Sequence, residues 1–313
     1  MRVSVVIPTY KRPHILRKTL KGYGAQVGNH EMLEILVVDD GSNDHSASVV
    51  EEFRNYSSVP IRYLYQENRG LAAARNHAIR EAKGDLILFG DDDIIPSRSM
   101  VSEHVAWHYK NPEENAGVLG CVTWAPEVRP TPFMVWAGLY GPQFHFGHFM
   151  PGEQLEFWDS YFCNTSVKAR FIGQEAVFNE SFRQYGWEDI ELSYRLYQKG
   201  YKLLYNPAAV GYHYKYETFD DTLRRIRKLN ESTPIFASTD AGKFFFKKVN
   251  EQRIAAKRPT MGAARRLLGP LKAVLMPLFK PLLDTRIPLP GGLYERVLYH
   301  YSTRTLVNGP LES

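Results

Sequence analysis

Only two cysteines, Cys121 and Cys163, occur in 313 residues, so the chain can build neither a disulfide framework nor a cysteine-rich metal site. Both stand among apolar or small residues, which predicts buried free thiols and suits a reducing compartment. No run of about eighteen uninterrupted apolar residues is present, so no membrane-spanning helix is expected. Met1-Arg2 leads straight into the strand-like VSVVI without a signal-peptide apolar region, and the expected location is cytoplasmic. The first strand is followed by P-T-Y-K-R-P, not by G-x-G-x-x-G. That argues against a nicotinamide-dependent oxidoreductase, and the missing Gly- and Arg-rich loop argues against a sugar nucleotidyltransferase. No zinc-finger or other reader motif is present, and no nucleic-acid partner is expected.

Acidic charge is scarce in one region. Residues 1–214 hold 21 Lys/Arg against 25 Asp/Glu, whereas residues 215–313 hold 18 against 9. A mildly acidic body thus carries a basic tail, which suits an anionic surface such as the inner face of a membrane. Residues 261–283 mix Leu, Val, Phe and Met with Arg265, Arg266, Lys272 and Lys280. Pro270, Pro277 and Pro281 break the run, so it reads as an interfacial segment or an ordinary helical subdomain.

What the sequence has in abundance is strand–helix alternation. VSVVIPTY (Val3–Tyr10) and LEILVVDDGS (Leu33–Ser42) read as buried strands, and IRYLYQE (Ile61–Glu67) and DLILFG (Asp85–Gly90) as a third and a fourth strand. Helical spacing falls between them at 14–26, 46–56 and 70–82, which predicts a parallel sheet flanked by helices. Further on, 99–109 and 188–199 read as helices, 117–124 and 159–172 as strands, and another strand ends at His213. Residues 126–152, rich in Pro, Gly and aromatics, read as a mobile loop facing a substrate. After Lys215 a short basic helix is expected at 222–229.

In such sheets ligands bind beyond the carboxyl ends of the strands, and polar landmarks cluster there: Thr9-Tyr10, Asp39-Asp40 and Asp91–Asp93. Three adjacent carboxylates repel one another unless water or a cation intervenes. A hard cation such as Mg²⁺ or Mn²⁺ takes oxygen ligands and holds a diphosphate in its shell. A carboxylate of Asp39-Asp40 can accept from a base N–H and Tyr10 can stack on that base. Arg75 can meet a phosphate, or the carboxylate on the nucleobase side, or serve as a surface ion pair. Glu188 and Asp189 open a helix, where carboxylates either cap it or supply a general base. His213 is either structural or a further metal ligand.

VSVVIPTYKRPHILRKTL, ILVVDDGSNDHS, ENRGLAAARNHAI, GDLILFGDDDIIP and FNESFRQYGWEDIELSYRLYQKGYKLLYNPAAVGYHYK occur in that order across residues 2–215. Together they resemble the family 2 glycosyltransferases, inverting enzymes with the GT-A fold. The resemblance implies an α/β class and a mostly parallel central sheet, with residues 1–98 holding the nucleotide sugar. Residues 99–215 would form the acceptor side, while 216–313, by its own composition, reads as a basic, mainly helical extension. It implies that Pro8, Thr9, Tyr10 and Asp40 cradle the base, while Asn68, Gly70 and Arg75 lie along the nucleotide and diphosphate. Asp91 and Asp93 would hold Mn²⁺ or Mg²⁺, with His213 completing the set and Asp92 as a close contender. Asp189 would be the catalytic base beside Glu188, and Trp187 would line the acceptor site. The implied reaction moves a sugar from a nucleotide-diphosphate donor, a UDP-sugar by preference, to a glycan or lipid-linked acceptor. A non-catalytic scaffolding member is the alternative. Lys11 stands where many members have Asn, and the tail lies outside the shared core.

Overall fold

In the computed structural model, residues 1–27, 32–55, 57–173, 177–183, 185–255 and 276–306 are described. The first half alternates as the apolar pattern dictates: β1 (Val3–Thr9), α1 (Pro13–Gly24), β2 (Met32–Asp39), α2 (Ser46–Arg54), β3 (Ile61–Tyr65), α3 (Leu71–Glu81) and β4 (Leu86–Gly90). β1 is apolar on both sides because both of its faces are covered. Val6 packs in one core with Leu36, Ile87 and Phe89, while Val5 and Ile7 pack in the other with Leu16, Leu20 and Leu88. Each such side chain, fully buried, contributes about 1.5–3 kcal/mol against exposure. Pro13 opens α1, where its missing N–H costs nothing.

Then follow β5 (Ile94–Pro96), α4 (Met100–Lys110), β6 (Ala116–Trp124), α5 (Pro132–Leu139), β7 (Gln154–Leu155), β8 (Asn164–Lys168), α6 (Ala169–Ile172), α7 (Glu188–Gln198) and β9 (Lys202–His213). The nine strands form one sheet in the order β3-β2-β1-β4-β8-β6-β9-β5, with β7 on β9. β1 through β4 pair in parallel; β8 then runs antiparallel to both β4 and β6, and β5 antiparallel to β9. β1 lies between β2 and β4, so the chain reverses its winding there and opens a crevice at their carboxyl ends.

Residues 126–152 differ from the loop expected of them. Thr131 caps α5 by accepting from the Met134 N–H, and Phe133, Met134, Phe144 and Phe146 are buried. Proline and glycine punctuate this segment, but its aromatics anchor it. Beyond His213, α8 spans Phe219–Ser238: a reciprocal cap between Thr218 and Asp221 starts it before the expected 222, and it runs on past the expected end at 229. α9 (Asp240–Ala255), a helical run at 276–283 and a last helix, Gly291–Leu306, complete a helical C-terminal region. Phe133 meets Phe219 and Tyr294 edge-on, which ties that region to the body. Of the expected interfacial segment, residues 261–275 lie outside the described residues. No described helix is long and apolar enough to cross a membrane.

Candidate active site

Two arginines organise the crevice. Arg75 comes from α3, a helix whose alanines let it press against the sheet, and its guanidinium is fully buried. Nη1 donates to Asp189 Oδ1 at 2.7 Å; Nη2 donates to Asp91 Oδ1 at 3.1 Å and to the Phe162 carbonyl at 3.0 Å. The Phe162 N–H in turn donates to Asp189 Oδ2 at 3.0 Å. One buried cation therefore fixes the acid that ends β4 and the acid that opens α7. Such a planar fork holds two carboxylates at a set separation, which a lysine cannot do.

The second arginine is Arg12, in the turn after β1. Its Nη1 bridges Asp92 Oδ1 at 3.1 Å and Asp93 Oδ2 at 2.7 Å. Thr9 Oγ1 donates to Asp92 Oδ2 at 2.7 Å, and Thr19 Oγ1 to the Asp92 carbonyl at 2.6 Å. Asp93 Oδ2 also faces His213 Nε2 at 3.5 Å, because β5 pairs Ile94 with His213. The His213 ring stacks on Trp124 at 5.1 Å, and its buried Nδ1 has no hydrogen-bond partner among the described residues. The triplet is thus held together by two guanidinium groups and an imidazole.

Burial decides the protonation of these acids first. It pushes Asp91 up to about 6, with Arg75 pulling the other way and Asp93 and Asp189 adding to the rise. Asp92 goes up to about 7 through burial and the neighbouring Asp93, against Arg12 and Thr9. Burial opposes ionisation of Asp93 too, yet His213, Arg12 and Lys215 hold it well below the usual carboxylate range. Glu188 is buried, its Oε2 lacks a partner, and burial followed by Asp189 raises it to about 7. Glu188 thus resists ionisation more than an ordinary glutamate, whereas Asp189 sits in direct contact with Arg75.

On the β1–β2 side, Asp39 accepts from the Ser42 N–H and the Tyr63 hydroxyl. Asp40 accepts from Gln66 Nε2 at 2.8 Å, the Arg69 N–H at 2.9 Å and the Gly70 N–H at 2.8 Å, while Asn68 Nδ2 donates to the Asp40 carbonyl. Asp40 therefore shapes the turn 66–70 onto the end of β2. Gly70 has φ +92°, and glycine is the residue for that backbone. Pro8 lies within β1, and Tyr10 stands 43% exposed at its mouth with Lys11 Nζ 5.0 Å from its ring centre.

Trp187 opens α7 with φ +70°, and its ring stacks on Phe236 of α8 at 4.3 Å. Its indole N–H donates to the Leu229 carbonyl and the Thr233 hydroxyl, both at 3.1 Å. The side chain expected to line an acceptor site thus faces the C-terminal helices and couples them to the helix carrying Asp189.

The structure brings Arg75, Asp91, Asp92, Asp93, Asp189, Glu188 and His213 into one crevice. Arg75 meets Asp91 and Asp189, neither of which is the nucleobase-side carboxylate. Arg12 and Asn76 went unnoticed in the sequence. Arg12 follows Lys11 directly, and a basic residue just past a strand that ends beside an acid triplet is the available signal. Asn76 accepts from the N–H groups of Val177 and Phe178 and donates to the Phe178 carbonyl, clamping the segment that leads to Trp187.

A hard cation wants such oxygens plus an imidazole, and Asp91, Asp93 and His213 have that chemistry. Among the described residues, however, no three His, Cys, Asp or Glu side chains are already closed around a common point. Arg12 occupies Asp93 Oδ2, the oxygen that faces His213.

Residues 4–144 match the family model described as Glycosyl transferase family 2. The chain is 31% identical over 235 residues to the validoxylamine A glucosyltransferase of Streptomyces hygroscopicus subsp. limoneus, covering 67% of this chain and 51% of that protein. The chain spans 51% to 64% of the length of the first three curated relatives it matches. Among solved structures, S. aureus TarS 1-349 in complex with UDP-GlcNAc superposes with a TM-score of 0.55 at 17% identity, covering 100% of this chain and 93% of that one. The mannosyltransferase PcManGT of Pyrobaculum calidifontis, in complex with GDP-Man and Mn²⁺, superposes with a TM-score of 0.55 at 18% identity, covering 99% and 76%.

Proposed function

For a chain that belongs to glycosyl transferase family 2 through residues 4–144 and has the GT-A fold, we propose that it is an inverting transferase. It moves a sugar from a nucleotide diphosphate to an acceptor hydroxyl. The observation that carries this is the Arg75 bridge, which sets Asp189 and Asp91 on opposite arms of one guanidinium. A base and a phosphate-side acid held at fixed separation suit an in-line displacement between them.

The nucleotide would lie at the ends of β1 and β2, with Tyr10 against the base and the turn shaped by Asp40, Asn68 and Gly70 beside it. Asp91, Asp93 and His213 would hold Mn²⁺ or Mg²⁺ once Arg12 gives way. Such a cation supplies charge to a departing diphosphate. Asp189, pinned by Arg75 and the Phe162 N–H, takes the proton of the attacking hydroxyl. Attack from the face opposite the leaving group inverts the anomeric carbon, with no covalent enzyme intermediate.

UDP is the favoured donor nucleotide, and the acceptor is a glycan or lipid-linked saccharide in cell-surface polysaccharide or glycolipid synthesis. The basic extension would rest on an anionic membrane from the cytoplasmic side. Thermal unfolding with UDP, GDP, dTDP and CMP, each with and without Mn²⁺, tests the nucleotide and the cation together. A ligand at 100 times its Kd stabilises the fold by about 2.7 kcal/mol, which is a shift of several degrees. No shift with any of them would sink this function and favour a scaffolding member of the same fold.

A further inference from the structure

The helical C-terminal region sends a charged side chain back toward the crevice. Arg225 of α8 is 13% exposed at its side chain, and its Nε lies 3.2 Å from Glu217 Oε1. This is an ion pair without hydrogen-bond alignment, and Nη2, on the same edge, is buried and has no hydrogen-bond acceptor among the described residues. Glu217 Oε2 is likewise without a hydrogen-bond partner, and Lys215 Nζ stands 3.7 Å from it. A buried donor left unpaired is costly, and nearly all such donors in folded proteins find a partner. Nε and Nη2 share one edge of the guanidinium, the edge that grips a carboxylate or phosphate with two parallel hydrogen bonds. Two cations, Arg225 and Lys215, face one carboxylate, Glu217, so the cluster is positive by one charge.

Its position says what the edge faces. α8 packs on the segment that leads into α7: Ser232 Oγ donates to the Tyr185 carbonyl at 3.0 Å and the Trp187 indole N–H to the Leu229 carbonyl at 3.1 Å, one turn beyond Arg225. Tyr161 precedes Phe162, whose N–H holds Asp189, and Tyr185 is four residues before Asp189. Arg225 therefore stands on the Asp189 side of the crevice, whereas the triplet's carboxylates are already served by Arg12, Arg75 and His213.

We propose that Arg225, with Lys215 and Tyr185, forms an anion subsite on the acceptor side, and that the acceptor is an acidic saccharide or polyol bearing a carboxylate or phosphate. This rests on Asp189 being the base of a transferase.

The test uses the full chain with saturating UDP and saturation-transfer NMR on matched probes: glucose against glucose 6-phosphate, and methyl glucoside against methyl glucuronide. Wild type should bind the acidic member of each pair more tightly. Arg225→Gln should lose that preference, by about tenfold or more in affinity for the acid, with UDP affinity unchanged. Because this variant strands Glu217, the double variant Glu217→Gln/Arg225→Gln removes both charges and should lose the same preference. Equal binding of acid and neutral probes by wild type overturns the proposal, as does a preference that survives in both variants. So does a loss of UDP affinity in Arg225→Gln with the acid preference intact, which would assign the guanidinium to the donor diphosphate. An acid preference in wild type without any nucleotide binding would instead sink the transferase function and leave the subsite standing.

Discussion

Replacing Arg75 by methionine should be among the most damaging single changes in the chain. The side chain is 2% exposed and makes three hydrogen bonds, two of them to carboxylates and one to the Phe162 carbonyl. Methionine keeps most of the volume but strands Asp91 and Asp189. Removing one partner of a buried ion pair costs about 3–5 kcal/mol. Asp91 and Asp189 are 28% and 23% exposed, so water recovers part of that and the lower end, about 3 kcal/mol, is expected. Urea unfolding at pH 7 measures it as a shift of midpoint without a change of slope. The signature is the rescue: Arg75→Met combined with Asp91→Asn and Asp189→Asn should recover most of the loss, since no uncompensated charge remains. A cost below about 1 kcal/mol for the single variant, or no recovery in the triple variant, would refute the idea that one cation holds both acids.

His104 and His108 pack against Ser166 and Asn164 with burial holding them down to about 4 and about 3. The unfolded state takes up protons first as pH falls below about 6.5, so stability should drop from there toward pH 4 by up to about 1.4 kcal/mol per pH unit for each histidine. Urea midpoints against pH should show a flatter acid limb in His104→Gln; an unchanged limb would contradict the burial argument. Trp187→Ala removes the stack on Phe236 and two hydrogen bonds, and should cost about 2–4 kcal/mol in unfolding experiments. It should also lower turnover by loosening the start of α7. Gly120→Ala would place a Cβ 2.4 Å from the Ala209 carbonyl and 2.3 Å from Asn164 Nδ2, so thermal unfolding should report about 1–3 kcal/mol of overpacking.

The first half of the fold could be read from the chain because β1, β2 and β4 are buried on both faces and the helices have regular apolar spacing. β5 could not. It is three residues long, and only its pairing with β9 makes it a strand. β8, NTSVK, carries one apolar side chain, and its antiparallel direction comes from contacts with β4 and β6 that no local pattern encodes. Residues 126–152 carried loop chemistry in Pro and Gly while their aromatics, which fill the junction with the C-terminal helices, decide the outcome. In the site, the carboxylates stood out because like charges at strand ends demand an explanation. Their partners did not: Arg12 and Arg225 look like ordinary surface arginines until α1 and α8 are placed against the crevice. The partner of Trp187, Phe236, lies 49 positions away, so no local pattern shows the stack between them.

Asp189 as general base is the central claim, and sugar transfer by Asp189→Asn tests it most directly. The variant keeps the shape and the contact with Arg75 but cannot accept a proton. With the donor nucleotide identified by unfolding, release of that nucleotide on a competent acceptor should fall by about 10²–10⁴-fold while nucleotide affinity stays within about twofold. Transfer within a few-fold of wild type would show that another group takes the proton and would contradict the account.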